Sequence, residues 1–339
     1  MRKYIIKRLL LAVVIFFFVM LIIYTVLRCL PTSYVEQIAR EKSQQPGSKT
    51  YDEWLEQLNA MYGLDKGIIP GYLTWLGDFF TGHFGDSWKF TVPVIEKFND
   101  VVWLSFEMGV ITLILELIIA IPLGIIAATK QYSKTDYTIS ILALAFISLP
   151  TFFFIALEKL VFCIGIQIPD AATGLTKGLF PLMGLMSRNY EQMTKVQQFF
   201  DRAYHLVLPI LTLVIISIGG LMRYTRTNML EVLNADYIRT ARAKGLSERK
   251  VIYHHAFRNT LIPLVTIVGG SLPGLFSGAL FTETMFSLPG IGYTSYTAMT
   301  GGDIPFSMFY LAFLAILTLL GNLISDILYA VVDPRVRLA

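Results

Sequence analysis

Charge is scarce in this sequence of 339 residues: 15% are Asp, Glu, Lys or Arg, while 55% are apolar. Soluble domains carry about a quarter charged residues, so an ordinary water-facing fold is excluded. Cysteine is scarcer still. Cys29 and Cys163 offer neither a zinc pattern nor a redox motif. Two thiols buried in packed or lipid-facing helices are expected, with a disulfide between them as the alternative. Motifs for chemistry are missing too. Without a G-x-x-x-x-G-K-[ST] phosphate loop the chain cannot use ATP by itself. No G-x-S-x-G or H-E-x-x-H occurs, and the four histidines (His83, His205, His254, His255) fall at or outside the ends of apolar runs. A membrane-embedded protease needs a nucleophile and a base in bonding reach, so that class is disfavoured. The absence of any repeat of halves counts against an ion-coupled transporter built from inverted repeats.

What the chain does have is apolar length. Six runs, about 9–30, 101–128, 137–165, 205–223, 261–282 and 308–331, match the roughly twenty residues needed to cross a hydrocarbon core about 30 Å thick. The expected fold is an all-α polytopic membrane protein with six transmembrane helices. The opening "MRKYIIKR" and the run after it look like a signal peptide, but the run is long and no small-x-small site follows. An uncleaved anchor over 1–30 is therefore expected. Leu27 and Arg28 are the wrong context for a lipoprotein site at Cys29. Residues 1–8, 129–136, 223–260 and 332–339 hold sixteen Lys/Arg against five acids (Asp136, Glu231, Asp236, Glu248, Asp333). Basic loops stay in the cytoplasm, so both termini are expected there. An extracytoplasmic segment then covers 31–100, a membrane core 101–331 and a tail 332–339.

The loops carry structure of their own. In "YDEWLEQLNAMYGLDKG", Trp54, Leu55, Leu58 and Met61 have helical spacing and Gly63 is a plausible stop. Residues 31–100 are expected to form a compact, partly helical outer element. Residues 166–204 read as polar and irregular, with a short helix near 190–202. Between the fourth and fifth runs, Leu230, Leu233, Tyr237 and Ala241 make one apolar seam on a helix from Arg226 to Lys244. Gly245 ends it with left-handed geometry. Ser247 suits the N-cap of a second helix, Glu248 its positive end, and His254, His255 and Arg258 its negative end. The product is a helix–turn–helix with a basic outer surface over about 225–260. On the residues alone two readings stay open: a topology anchor, or a rigid surface that pushes on a soluble partner. Nucleic acid is not an expected partner, since there is no separate basic domain. A metal at His254–His255 is not expected either, because neighbours on a helix point about 100° apart.

Ionisable residues inside spans usually face a cavity or a partner. Glu107 sits near the outer end of the second run, where it either lines a path or simply reaches the interface. Glu116 lies near mid-membrane and serves either a pathway or a contact with a second subunit. Glu158 and Lys159 point apart and read as separate contacts at the outer interface. Asn322 and Asp326 share one face and favour interhelical hydrogen bonding. The fifth run strings small residues (Gly269, Gly270, Ser271, Gly274, Ser277, Gly278, Ala279) around Pro273. Small faces allow close helix approach, and irregular backbone at depth belongs in packed protein or beside a wet cavity. The segment as a whole is expected to line a pathway.

The stretch "DYIRTARAKGLSERKVIYHHAFRN" (236–259) resembles the cytoplasmic loop of ATP-binding-cassette importer permeases, in the form found in the dipeptide, oligopeptide and nickel permease family. "GLDKGI", "GHFGDS", "SFEMG", "AIPLGIIAA", "SLPTFF", "ETMFSLPGIG" and "DILYAVVDPRVRL" follow in order like that family's signatures. Together they are specific, and nearest in pattern to the first permease of oligopeptide importers. The general importer loop has Glu-Ala-Ala, three residues, then Gly. Here Arg239-Thr240-Ala241 precedes Gly245, a departure shared by the peptide subfamily.

The resemblance implies a type I importer permease in a bacterial cytoplasmic membrane, forming half of a translocation pathway for oligopeptides. Dipeptides or nickel chelates are the alternative cargo. It implies no bound cofactor in this chain, with ATP and Mg on two cytoplasmic ATPase subunits. It also implies a second homologous permease and an extracytoplasmic peptide-binding protein as partners. Docking to the ATPase falls to Asp236, Tyr237, Arg239, Ala241, Ala243, Lys244, Gly245, Leu246, Ser247, Arg249, His255, Arg258 and Asn259. Glu107 and Glu283, inside two of the signatures, join Glu116, Ser271, Pro273, Gly274 and Ser277 as expected pathway residues.

Overall fold

The apolar runs become helices, but their limits and bends differ from the sequence reading. The computed structural model describes residues 2–30, 34–169 and 176–332. The expected tail from 333 onward, with the end of "DILYAVVDPRVRL", lies outside the described residues. Helix α1 (Arg2–Arg28) is followed by α2 (Tyr34–Ser43), α3 (Tyr51–Met61) and α4 (Ile68–Thr81). The long α5 (Val94–Thr129) leads to α6 (Lys134–Ser148) and α7 (Thr151–Glu158), the latter continued by a π turn at Lys159–Gly165. Among the described residues four helices are long and apolar enough to cross a membrane, and two bent pairs bring the number to six if each pair counts as one span.

The third run is where the expectation of a straight span fails. Residues 134–148 and 151–165 meet at 104°. Leu149 is extended, with φ −78 and ψ 129, as a residue before proline prefers, and Pro150 cannot continue the α6 hydrogen-bond ladder. Helix α5 starts at Val94, seven residues before the expected core boundary. The second outer loop is more ordered than its composition suggests. It contains an antiparallel pair, β1 (Gln167–Pro169) and β2 (Thr176–Gly178), in which Ile168 faces Lys177. The helix expected near 190–202 is the start of the fourth span itself: α8 runs unbroken from Lys195 to Leu233, opened by a Thr194–Gln197 capping box. After it come α9 (Asp236–Ala243), α10 (Glu248–Lys250), a π turn at Val251–Ala256, and α11 (Phe257–Gly270). The chain ends in α12 (Leu272–Phe276), α13 (Leu280–Phe286), α14 (Ile291–Thr300) and α15 (Ile304–Val332).

Helices α5 and α8 form the spine. They approach closely because a Cβ at Gly124 would lie 2.6 Å from the Thr225 side chain. Arg226 on α8 binds Asp136 at the start of α6 through two bonds of 2.7 and 2.8 Å. Asp136 is only 2% exposed, so removing the arginine would leave a buried charge, at about 3–5 kcal/mol. Helix α1 packs along α15 through Phe16, Met20, Met308 and Ala312. At one end Asp326 pairs with Arg8 at 2.6 Å and accepts from Tyr4 at 3.0 Å. At the other end Arg28 donates to the carbonyls of Leu64 and Lys66.

The segment before α5 is helical, as its spacing suggests. Val35, Ala39 and Leu58 bury the contact between α2 and α3, while Met61 is exposed rather than part of that face. A Thr50–Glu53 capping box starts α3, and α4 lies on α1, with Tyr72 donating to the Phe17 carbonyl at 2.8 Å. Both cysteines are free. Cys163 is half-buried and Cys29 is exposed on the protein surface.

Candidate functional site

Two features stand out along the α5–α8 spine: a hook of short helices at one end and a cavity near its middle. The hook forms because α8 stops at Leu233 and the chain restarts at α9. Asn234 and Ala235 interrupt what the sequence reading took as one helix from Arg226 to Lys244. The interruption resets the phase of the apolar seam. Met229, Ile238, Ala241, Val251 and Ala256 are buried against Ile125 and Ala128 of α5, whereas Leu230 and Leu233 are only partly buried. Tyr237 is 48% exposed.

Gly245 has φ +77, the left-handed turn that glycine adopts without a steric penalty. Ser247 occupies the N-cap position, but its side chain makes no cap hydrogen bond. The helix it opens does not end near the histidines. It passes through the π turn holding His254 and His255 directly into α11, so these residues and Arg258 are not at a negative helix end as expected. Asp236, Tyr237, Arg239, Ala243, Lys244, Gly245, Ser247, Arg249, Arg258 and Asn259 are exposed on the hook and just beyond it. Leu246 and His255 are half-buried, and Ala241 faces the core. Arg242, missed by the sequence reading, binds Glu248 across the Gly245 turn at 2.7 Å.

The cavity lies among α5, α8 and the break between α11 and α12. Its volume is about 340 Å³, and Thr112, Glu116, Thr151, Ser217, Ser271 and Gly274 supply its polar or open wall. Ser271 separates α11 from α12, and its hydroxyl donates to the Val268 carbonyl at 2.8 Å. Pro273 takes the first turn of α12 and lies against Gly321 of α15. The small residues of this run therefore divide. A Cβ at Gly269 would meet Leu328 at 2.9 Å, so that glycine serves close packing, whereas Gly270 and Gly274 have no neighbouring atoms within 4 Å. The Ser277 carbonyl accepts from Tyr310 at 2.7 Å, outside the cavity lining. The Ser217 hydroxyl donates to the Val214 carbonyl at 3.1 Å and lies beside Glu116 in the cavity wall. The Thr112 hydroxyl is buried without a partner. Thr112, Thr151 and Ser217 were missed; a lone hydroxyl in an apolar run, and Thr112 one turn before Glu116, were the available signals.

The other ionisable residues are already answered. Glu107 forms an ion pair with Arg202 of α8 at the edge of an apolar cavity of about 420 Å³; Arg202 was not singled out from sequence. Glu158 is buried against Thr212 of α8, while Lys159 donates to the Met285 carbonyl, so the two make separate contacts. Glu283, expected on a pathway wall, is fully buried and lies at the base of a separate cavity of about 290 Å³ with Thr284, Ser287 and Tyr293. Its carboxylate accepts from the Ser105 hydroxyl at 2.7 Å and from the backbone of Ala279 and Tyr293 at 2.9 and 2.7 Å. Gly278, Gly290 and Gly292 crowd the same carboxylate. This clamp ties α13 and α14 to α5.

Residues 120–338 match the family model described as binding-protein-dependent transport system inner membrane component. The chain is 34% identical over 338 residues to the oligopeptide transport system permease protein AppB of Bacillus subtilis (strain 168), covering 99% of this chain and 100% of that protein. It is also 34% identical over 342 residues to the dipeptide transport system permease protein DppB of Escherichia coli (strain K12), covering 99% of each. The di/tripeptide transport system permease protein DppB of Pseudomonas aeruginosa (strain UCBPP-PA14) is 33% identical over 339 residues, with 99% of each chain covered.

Proposed function

The chain belongs to the binding-protein-dependent transport system inner membrane components, and from that premise we propose that it forms half of an oligopeptide translocation pathway. The observation carrying the reading is the similarity along nearly the whole length, outer segment included, to peptide permeases, an oligopeptide permease among them. In this reading a second, homologous permease supplies the other half. Two ATPase subunits bind ATP and Mg, and an extracytoplasmic binding protein delivers the peptide. Both termini and the hook face the cytoplasm, on the basic side of the chain.

The geometry supports a direct route from hook to pathway. Helix α8 carries Met229 in the hook seam and Ser217 in the cavity wall. Those residues are twelve apart on one unbroken helix, about 18 Å at 1.5 Å per residue. A push on α9 by a closing ATPase pair therefore moves the cavity wall with the hook. The exposed hook residues, from Asp236 to Asn259, are the docking surface. Glu116, Ser271 and Gly274 belong to the wall, while Pro273 holds the helix break beside it against α15.

The test is uptake by the complete transporter in proteoliposomes, with labelled tetra- and pentapeptides, the binding protein outside and ATP at the ATPase side. Accumulation that needs ATP and all subunits is the expected result. Uptake without ATP would overturn the proposal. Preference for dipeptides or nickel chelates over longer peptides would replace the cargo.

A further inference from the structure

The acids in and beside the spans differ in what answers their charge. Glu107 has Arg202, Asp136 has Arg226 and Asp326 has Arg8. Glu283 has three hydrogen-bond donors. Glu158 is sealed against Thr212 in the α7–α8 contact. Glu116 differs from all of them: it borders the cavity of about 340 Å³ beside the Ser217 hydroxyl, and among the described residues no basic side chain lines that cavity. Around it stand the hydroxyls of Thr112, Thr151, Ser217 and Ser271, and between them the apolar Met108, Leu113, Leu213, Ile216 and Leu275.

We propose that this cavity is a subsite for a primary ammonium, the free amino terminus of a peptide in transit. The inference rests on the peptide-import reading above. An ammonium group offers three N–H donors and no acceptor, so it needs a negative charge and further oxygens. Glu116 supplies the charge. Thr112, whose buried hydroxyl is unpartnered, stands one turn before it on α5, and Ser217 faces it from α8. The apolar remainder of the wall limits water, which strengthens a charge-assisted hydrogen bond relative to one in solution. The volume lies at the low end of small-molecule pockets, roughly 300–1,000 Å³, so it receives the leading end of a peptide and not the whole. The open face at Gly274, with no atom within 4 Å of where a Cβ would be, leaves room for the first residue's backbone. A carboxylate on a wall shared by α5, α8 and α12 can release the ammonium when those helices move apart.

The complete transporter tests this with Glu116→Gln, Glu116→Asp and Glu116→Leu, using a tetrapeptide and its N-acetyl form. Loss of one charge-assisted hydrogen bond lowers uptake of the free-amine peptide by about tenfold or more in Glu116→Gln. Glu116→Asp retains most uptake, and all variants still co-purify with both permease and ATPase subunits. Uptake of the acetylated peptide is the same in wild type and Glu116→Gln. Wild-type uptake of free-amine peptide by Glu116→Gln would overturn the subsite, and so would an equal loss for both peptides. Loss of the second permease from Glu116→Gln would also overturn it, assigning the carboxylate to that subunit instead.

Where wild type does not import the acetylated peptide, carbodiimide coupling in the peptide-loaded complex decides. An amide between Glu116 and the peptide amino terminus, formed with loss of water and absent in Glu116→Gln, is expected. Failure to form it overturns the subsite. Failure of wild type to import either peptide refutes the peptide-import reading itself.

Discussion

The clamp around Glu283 and the hook around Gly245 are both compact turns between helices, yet they are held in opposite ways. In the clamp the polar groups point inward. Glu283, Ser105, Thr294 and Ser295 are all buried, and the carboxylate bonds two backbone amides and a hydroxyl. In the hook the apolar groups point inward, through Met229, Ile238 and Val251, each 0% exposed, and the charges face out. A buried network fixes one geometry, because each member depends on the others. An apolar seam with charges outside holds its shape while leaving the polar surface free to meet another protein. The first arrangement suits a fixed element, the second a docking one.

The sharpest way to break the comparison is Glu283→Gln. Glutamine offers one acceptor oxygen and turns an NH2 donor toward groups that are donors themselves. At about 1–3 kcal/mol for each buried group left unsatisfied, destabilisation of about 3 kcal/mol or more is expected. Thermal unfolding of the purified protein in detergent measures it. A midpoint close to wild type would mean that the clamp is held by its apolar packing, as the hook is, and the distinction would fall.

Gly245→Val perturbs the other region and separates stability from coupling. Positive φ costs a residue with a Cβ roughly 1–2 kcal/mol, and more for a β-branched side chain. Stability should therefore fall less than in Glu283→Gln. Peptide uptake should fall far more than ATP hydrolysis by the assembled complex. Gly245→Asn, which tolerates the left-handed region, should recover much of the uptake. Normal coupling in the valine variant would remove the turn from the proposed docking surface.

These two regions also show what the sequence disclosed. Gly245 was legible because helix, left-handed turn and helix are written within a few consecutive residues. The clamp was not, since Ser105 is 178 residues from Glu283 and no local pattern joins them. The nearby signal was Gly278, Gly290 and Gly292 around one acid in an apolar stretch, which argues for close backbone approach and not for an open wall. The seam of the hook was read one phase off because the break at Asn234–Ala235 shifts every later residue around the helix axis. The bend in the third span was written in Pro150, where apolar length outweighed the proline in the reading. Membrane depth placed Glu116 correctly as unusual, but only packing brings Thr112, Thr151, Ser217 and Ser271 to it.

The smallest expected effect sharpens the comparison from the hook side. Arg242 and Glu248 bridge α9 and α10 at 2.7 Å, with side chains 43% and 57% exposed. An exposed pair is worth about 0–1 kcal/mol, because water and ions screen it and two long side chains lose freedom in making it. Arg242→Ala should therefore leave the unfolding midpoint within a degree or two of wild type, since about 1 kcal/mol shifts a large domain by only a few degrees. Added salt should erase even that difference, while the deficit of Glu283→Gln persists because its partners are buried. If the alanine variant proves as unstable as the clamp variant, and salt reproduces the loss in wild type, then charge and not the Met229–Ile238–Val251 seam holds the hook. Its basic surface would then be committed internally before any ATPase arrives.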